Sequence, residues 1–335
     1  MDELIFFINR GIVPGLVTGS IYALGGVGIT LIFGILRFAH FAHGDVMTMG
    51  AFFSFLLAGA LSAMGVALPV PLGFAVLPVA MALTAVIALG IDATFYEPLR
   101  ARGARPVTLL IASIGVTLMI QGLTRLFFGS GTRDFFGRTE TKDIYRIDLE
   151  MLGGSRPIVL TEPQVLMFAV TVVAIVALHL FLTRSRLGKA MRAMADNADL
   201  AQVSGINTKR VVVATWIIAG ALAAMAGTML ALDVNLRPDL AFNIVLPIFA
   251  AAIVGGLGNS YGAIAGGLLI GFAESLAVFN WTAVLRPLGT LLPEGWALPA
   301  NLALVPTEYK LTVAFVILVI TLLVRPTGIF KGAST

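Results

Sequence analysis

The sequence predicts an all-α integral membrane protein, and three observations carry that prediction. Of 335 residues, 58% are hydrophobic and 12% charged, with a mean hydropathy of +0.97, whereas a soluble domain is about 25% charged. The apolar residues form long continuous runs, not the alternating segments of about ten residues that build a barrel. Short basic loops separate the runs, as expected where helices must satisfy the backbone inside lipid.

The elements follow in order. Ile12–Leu36 is uncharged and glycine-rich, with Gly15 and Gly19 spaced for close helix approach. It is too long and too weakly flanked to be a signal peptide. RFAHFAHGD, Arg37–Asp45, interrupts the apolar pattern and reads either as a cytoplasmic turn or as a break inside the membrane. Val46–Met64 and Leu72–Phe95 are the next runs, followed by the basic loop Glu97–Pro106. Val107–Phe128 leads to the polar stretch 129–163, whose five basic and six acidic residues give no inward bias. Val165–Leu182 and Val211–Leu232 flank a second basic loop. Leu240–Leu257 contains Pro247, Tyr261–Phe279 follows the turn Gly255–Gly262, and 280–308 reads as an outer loop. Leu311–Val324 is short for a span and is expected to begin near Thr307, with Lys310 snorkelling. The whole, 1–335, reads as one transmembrane domain with about eight transmembrane helices and at least one broken helix. The first residue is expected outside, and loops 97–106 and 184–210 and the C-terminus in the cytoplasm.

The basic loop 184–210 carries six cations against Asp196 and Asp199. Leu187, Ala190, Met191 and Met194 recur at helical spacing, Lys189 and Arg192 lie between them, Asn197 is placed to cap a second short helix, and Gly205 to close it. Such a helical pair with an apolar stripe invites a docking partner; a solvated loop that only sets topology is the alternative. The glycines also form rows: Gly258, Gly262 and Gly266 in one, Gly267 and Gly271 in another, a pattern that suits close helix packing or a broken helix beside a substrate path.

Catalytic chemistry is sparse. No GxxxxGK[ST] pattern occurs, which removes that route to ATP. With no cysteine and only His40, His43 and His179, neither a thiol site nor a complete histidine metal site can be assembled. A net charge of +4 is ordinary for inward-facing loops and is no argument for nucleic acid. Glu274 is the one carboxylate plainly inside a span, and so a functional candidate or a structural partner. An ion-driven secondary transporter and an intramembrane enzyme are the rival classes, each short of the residues it needs.

The opening GLVTGSIYALGGVGITLIFGILRFAHFAHGDVMTMGAF resembles the start of LivH-type permeases of branched-chain amino-acid ABC transporters. Phe41, Ala42, His43 and Gly44 match the family phrase N-F-A-H-G, with His40 where the Asn usually stands. The likeness continues in Glu97–Arg100, Ile111–Gly115, Ser185–Ala190, Gly205–Asn207 and Gly255–Gly267 followed by Glu274. The resemblance implies a polytopic ABC permease in a bacterial inner membrane, with its N-terminus periplasmic. It implies a second homologous permease, two cytoplasmic ATPase subunits that bind the ATP, and a periplasmic binding protein, with no cofactor and no catalysis of its own. His40, Phe41, His43, Gly44, Asp45 and Glu274 are then candidates for the translocation path. Leu187, Gly188, Lys189, Met191, Arg192, Met194, Asn197 and Gly205 are candidates for ATPase coupling, with the apolar members seated in the ATPase. Substrates of related permeases include urea, short amides and aromatic acids.

Overall fold

The computed structural model describes residues 2–66, 68–136, 143–148, 156–286 and 299–330. Trp296 and Lys331, and parts of both outer loops, lie outside them. Seven helices are long and apolar enough to cross a membrane: α1 (Asp2–Leu36), α2 (His43–Ala63), α3 (Leu77–Ala101), α4 (Pro106–Phe128), α5 (Glu162–Arg184), α8 (Thr208–Asp233) and α10 (Ser260–Ala277). Two shorter apolar helices, α9 (Phe242–Gly255) and α11 (Thr312–Val324), bring the apolar helices to nine among the described residues. Between α5 and α8 lie the short α6 (Arg186–Asp196) and α7 (Ala198–Val203). Inside the stretch 129–163, β1 (Ile144–Ile147) and β2 (Ile158–Thr161) form an antiparallel hairpin that the sequence did not announce. Asn9 pins it to α1 by bonding Pro157 O and Val159 N, each at 3.1 Å.

The centre of the bundle is α1, almost wholly buried. It packs along α10 through glycine. A Cβ at Gly15 or Gly19 would press on Phe272 or Leu268, and one at Gly267 or Gly271 would run into the backbone at Ala23 or Gly19. The other row turns elsewhere: Gly262 and Gly266 meet the backbone of α9 at Gly255 and Ala251. The two rows therefore seat α10 against two different helices, which is the close-packing use of small residues in lipid. By contrast α4 and α5 leave large apolar side chains outward, such as Leu118 and Val173, as helices facing lipid or another apolar surface do.

The interruption at 37–45 is a break inside the bundle, not a turn at its end. A Cβ at Gly28 would stand 2.5 Å from His43 Cε1, so the start of α2 lies level with Gly28. That is eight residues before the end of α1 at Leu36, or about 12 Å along a helix. The segment 37–42 climbs back that distance before α2 begins. A second break mirrors it. Past Asp233 the chain turns inward, bridges Leu236 to Arg133, and brings Ala241 N to Thr48 Oγ1 at 3.1 Å. Met47, beside Thr48, packs on Gly227, six residues short of the end of α8, about 9 Å deep. From there α9 has only 14 residues, about 21 Å of helix, too little for a hydrocarbon core of about 30 Å.

Candidate functional site

The two breaks meet. Ala241 O would lie 2.9 Å from a Cβ on Gly44, and Phe41 stacks on Phe249 of α9 at 4.8 Å. Phe41 N donates to Ser113 Oγ of α4 at 3.1 Å, which satisfies a backbone donor that the interrupted helix leaves orphaned. Phe41 is half-buried; His40, His43, Gly44 and Asp45 are enclosed within the chain.

His40 sits in an aromatic box. Tyr96 and Trp216 stack at 5.5 Å with planes 6° apart, and the His40 ring stands edge-on to both, at 5.4 and 5.0 Å. Tyr96 OH lies 3.1 Å from His40 Nδ1. What places Tyr96 there is a π-helical turn, Asp92–Tyr96, within α3, which also leaves Asp92 in a bidentate pair with Arg100 at 2.6 and 3.0 Å. His43 packs on Gly28 of α1, beside which Ala219 O of α8 also lies. Among the described residues no group of three or more His, Cys, Asp or Glu could hold a metal.

Asp45 lies in the first turn of α2, where the helix N-terminus favours a carboxylate. It faces Thr117, Gln121 and Arg125 of α4, with the Gln121 amide and the Thr117 hydroxyl as its nearest possible donors, none of them closing a full hydrogen bond. Glu274 is fully buried, but elsewhere: it faces α1, where Tyr22 OH donates to its Oε2 at 3.0 Å. The structure thus groups His40, Phe41, His43, Gly44 and Asp45, and sets Glu274 apart from them on the α1–α10 seam.

The helical pair at 184–210 forms as its caps predict. Ser185 Oγ accepts from Gly188 N at 2.8 Å, Asn197 Oδ1 from Leu200 N at 2.9 Å, and Gly205 has φ +84°. Gly188 is obligatory for another reason: a Cβ there would run into Phe181 O and Leu182, where α6 folds back on α5. The apolar stripe needs correcting. Met191 and Met194 are buried in this chain's own core, and Leu187 packs against it. The stripe holds α6 to the bundle and is not free to enter a partner. The outward apolar side chains are Leu200 and Val203 of α7, 61% and 81% exposed, with Lys189 and Arg192 also exposed.

Three residues of the site went unmarked in the sequence. Tyr96 and Trp216 carried no local signal. Arg37 did carry one, as a charge at the edge of the break. It is the one non-glycine residue with positive φ among the described residues, and its Nη2 donates to Ala195 O at the end of α6 at 2.5 Å.

A family profile described as "Branched-chain amino acid transport system / permease component" matches residues 11–322. The chain is 32% identical to the high-affinity branched-chain amino acid transport system permease protein LivH of Escherichia coli K12, over 98% of this chain and 97% of that one. It is 31% identical to the corresponding permease BraD of Pseudomonas aeruginosa at the same coverage, and 26% identical to the ribose import permease RbsC of E. coli K12 over 81% of this chain and 78% of that one. Among solved structures, PsaBC from Streptococcus pneumoniae in complex with Fab aligns over 97% of this chain and 96% of that chain, at a TM-score of 0.48 and 11% identity.

Proposed function

The chain belongs to the branched-chain amino acid transport permease family, and on that premise we propose that it passes a branched-chain or closely related amino acid through the junction of its two breaks. The observation that carries this reading is the meeting of Gly44 and Thr48 with Ala241 inside the bundle. Irregular backbone at membrane depth is tolerated only where protein buries it or where it lines a cavity, and paired discontinuous helices surround the substrate in many transporters. Phe41 and Phe249 form the movable apolar contact at the junction, and Asp45 its polar station.

The chain sits in a bacterial inner membrane with its first residue periplasmic and its C-terminus cytoplasmic. That arrangement needs an odd number of crossings; nine, with the inward turn before Ala241 completing the short α9, supply it, while eight would leave both ends on one side. Loops 97–106 and 184–210 then share the cytoplasmic face. The chain binds no cofactor and hydrolyses nothing itself. One of two ATPase subunits docks on α6 and α7, a second permease completes the pathway, and a periplasmic protein delivers the substrate. Leu200, Val203, Lys189 and Arg192 form the contact with the ATPase. The Arg37 bond to Ala195 O passes the movement of α6 into the segment 37–42, alternately opening the junction to either side.

Reconstitution of the chain with its second permease, the ATPases and the binding protein tests this reading. ATP-dependent uptake of leucine, isoleucine or valine is expected; uptake of urea, short amides or aromatic acids instead would replace the substrate class. Transport by the lone chain under an ion gradient would overturn the ATP-driven mechanism. Single cysteines at Thr141 and Ser155 should react with an impermeant maleimide from outside, and cysteines at Gly103 and Ser204 should not. Labelling of Gly103 from outside would reverse the orientation.

A further inference from the structure

Two grooves on the outer wall of the bundle share Ile217 as a wall residue. The first, about 660 Å³, opens between α6 and the start of α8. Arg186, Lys209 and Arg210 stand around it, side chains such as Leu187, Val213 and Ile217 supply its apolar wall, and no acidic residue lines it. Among the described residues none of the three cations has a carboxylate within ion-pair distance. The second groove, about 540 Å³, continues from Ile217 between α5 and α8 to Met225 and is lined by apolar side chains throughout. Its walls are outward-facing: Val173 is 67% exposed and Ile217 42%. From Arg210 to Met225 is fifteen residues of α8, about 22 Å of helix. A bilayer is about 40–45 Å thick including its headgroups, so the two grooves taken end to end span one leaflet, cationic at one end and apolar along the rest.

We propose that the two grooves together form a binding site for one anionic phospholipid of the inner leaflet. The phosphate lies among Arg186, Lys209 and Arg210, and an acyl chain lies along α5 and α8 to Met225. Charge decides the class of lipid. Three unpaired cations call for a headgroup that carries net negative charge, and a zwitterionic headgroup would bring a fourth cation to the same place. Length decides between a lipid and a free phosphate, because a free phosphate leaves the apolar part of the groove uncovered. Leu187 and Ala190 of α6 line the headgroup end, so the bound lipid braces the coupling helix against α8. The site rests on the proposed cytoplasmic placement of 184–210.

The test is lipid retention by the purified full chain in detergent, read by native mass spectrometry, with phosphatidylglycerol and phosphatidylcholine of equal chain length as probes. The wild-type chain should retain phosphatidylglycerol in preference to phosphatidylcholine. Lys209→Gln with Arg210→Gln should lower phosphatidylglycerol retention about fivefold per charge removed and leave phosphatidylcholine unchanged. Ala221→Phe, which fills the apolar groove, should lower both. Equal retention of the two lipids by the wild type, or a preference that survives in the double variant, overturns the proposal. Displacement of the lipid by an equal concentration of glycerol phosphate would make this a phosphate site, and loss of the lipid on adding the ATPase subunits would assign the surface to them; either result also overturns it. The assay in detergent has no sidedness, so its outcome is separate from the orientation, which the Gly103 and Ser204 labels decide.

Discussion

Arg37 joins the membrane break to the coupling helix, and its two roles can be separated by substitution. Its backbone is left-handed, φ 56° and ψ 32°, a conformation that costs a non-glycine residue about 1–2 kcal/mol. Its guanidinium donates to Ala195 O, and a hydrogen bond from a charged donor contributes about 1.5–3 kcal/mol. Arg37→Ala keeps the backbone cost and loses the bond, so it should destabilise the chain by about 1.5–3 kcal/mol. Arg37→Gly loses the same bond but sheds the backbone cost, which should leave it about 1–2 kcal/mol more stable than Arg37→Ala. Coupling should follow the side chain alone: both variants should lose most of the substrate-stimulated ATP hydrolysis of the reconstituted transporter. Thermal unfolding in detergent gives the first quantity and hydrolysis with and without loaded binding protein the second. An Arg37→Gly chain that is stable and fully coupled would refute the transmission role. Equal destabilisation by Ala and Gly would refute the backbone reasoning.

Three further predictions can be checked together. Glu274→Gln should fold and transport, since an amide still accepts from Tyr22, while Glu274→Ala and Tyr22→Phe should each lose about 1–3 kcal/mol in thermal unfolding for the polar atom left unpaired; loss of uptake in a stable Glu274→Gln would mean instead that the charge itself is used. Met191→Asp should destabilise the chain itself, because it puts an unpaired charge into the buried seat of α6. Val203→Asp should leave the isolated chain stable and abolish copurification of the ATPase, and Lys189→Ala should only shift the salt sensitivity of assembly; a Val203→Asp chain that still captures the ATPase would move the docking surface elsewhere.

The fold was legible because lipid imposes a simple rule on composition and charge, and the runs, the basic loops and both glycine rows report it directly. The caps at Asn197 and Gly205 were legible for a similar reason, since each is fixed by a residue type and a neighbour three or four positions away. Depth was not. Whether 37–45 turned in water or climbed back between helices depended on Gly28 making room for His43 and on Ala241 arriving from nearly two hundred residues away. The direction of the apolar stripe on α6 was equally hidden: helical spacing shows that Met191 and Met194 share a face, but only the packing against the core shows that the face turns inward. The box around His40 needed a π turn to aim Tyr96, and no sequence pattern marks one.

The most direct test of the junction is a cysteine in place of Phe41, because the chain has no native cysteine to interfere. In the reconstituted transporter, a small charged thiosulfonate reagent applied to one side should modify Phe41→Cys. ATP trapping with a hydrolysis-deficient ATPase should switch the reactive side, and substrate should slow the reaction. A Phe41→Cys transporter that assembles and transports, yet stays inert to the reagent from both sides in both nucleotide states, would place the path outside the junction of the two breaks.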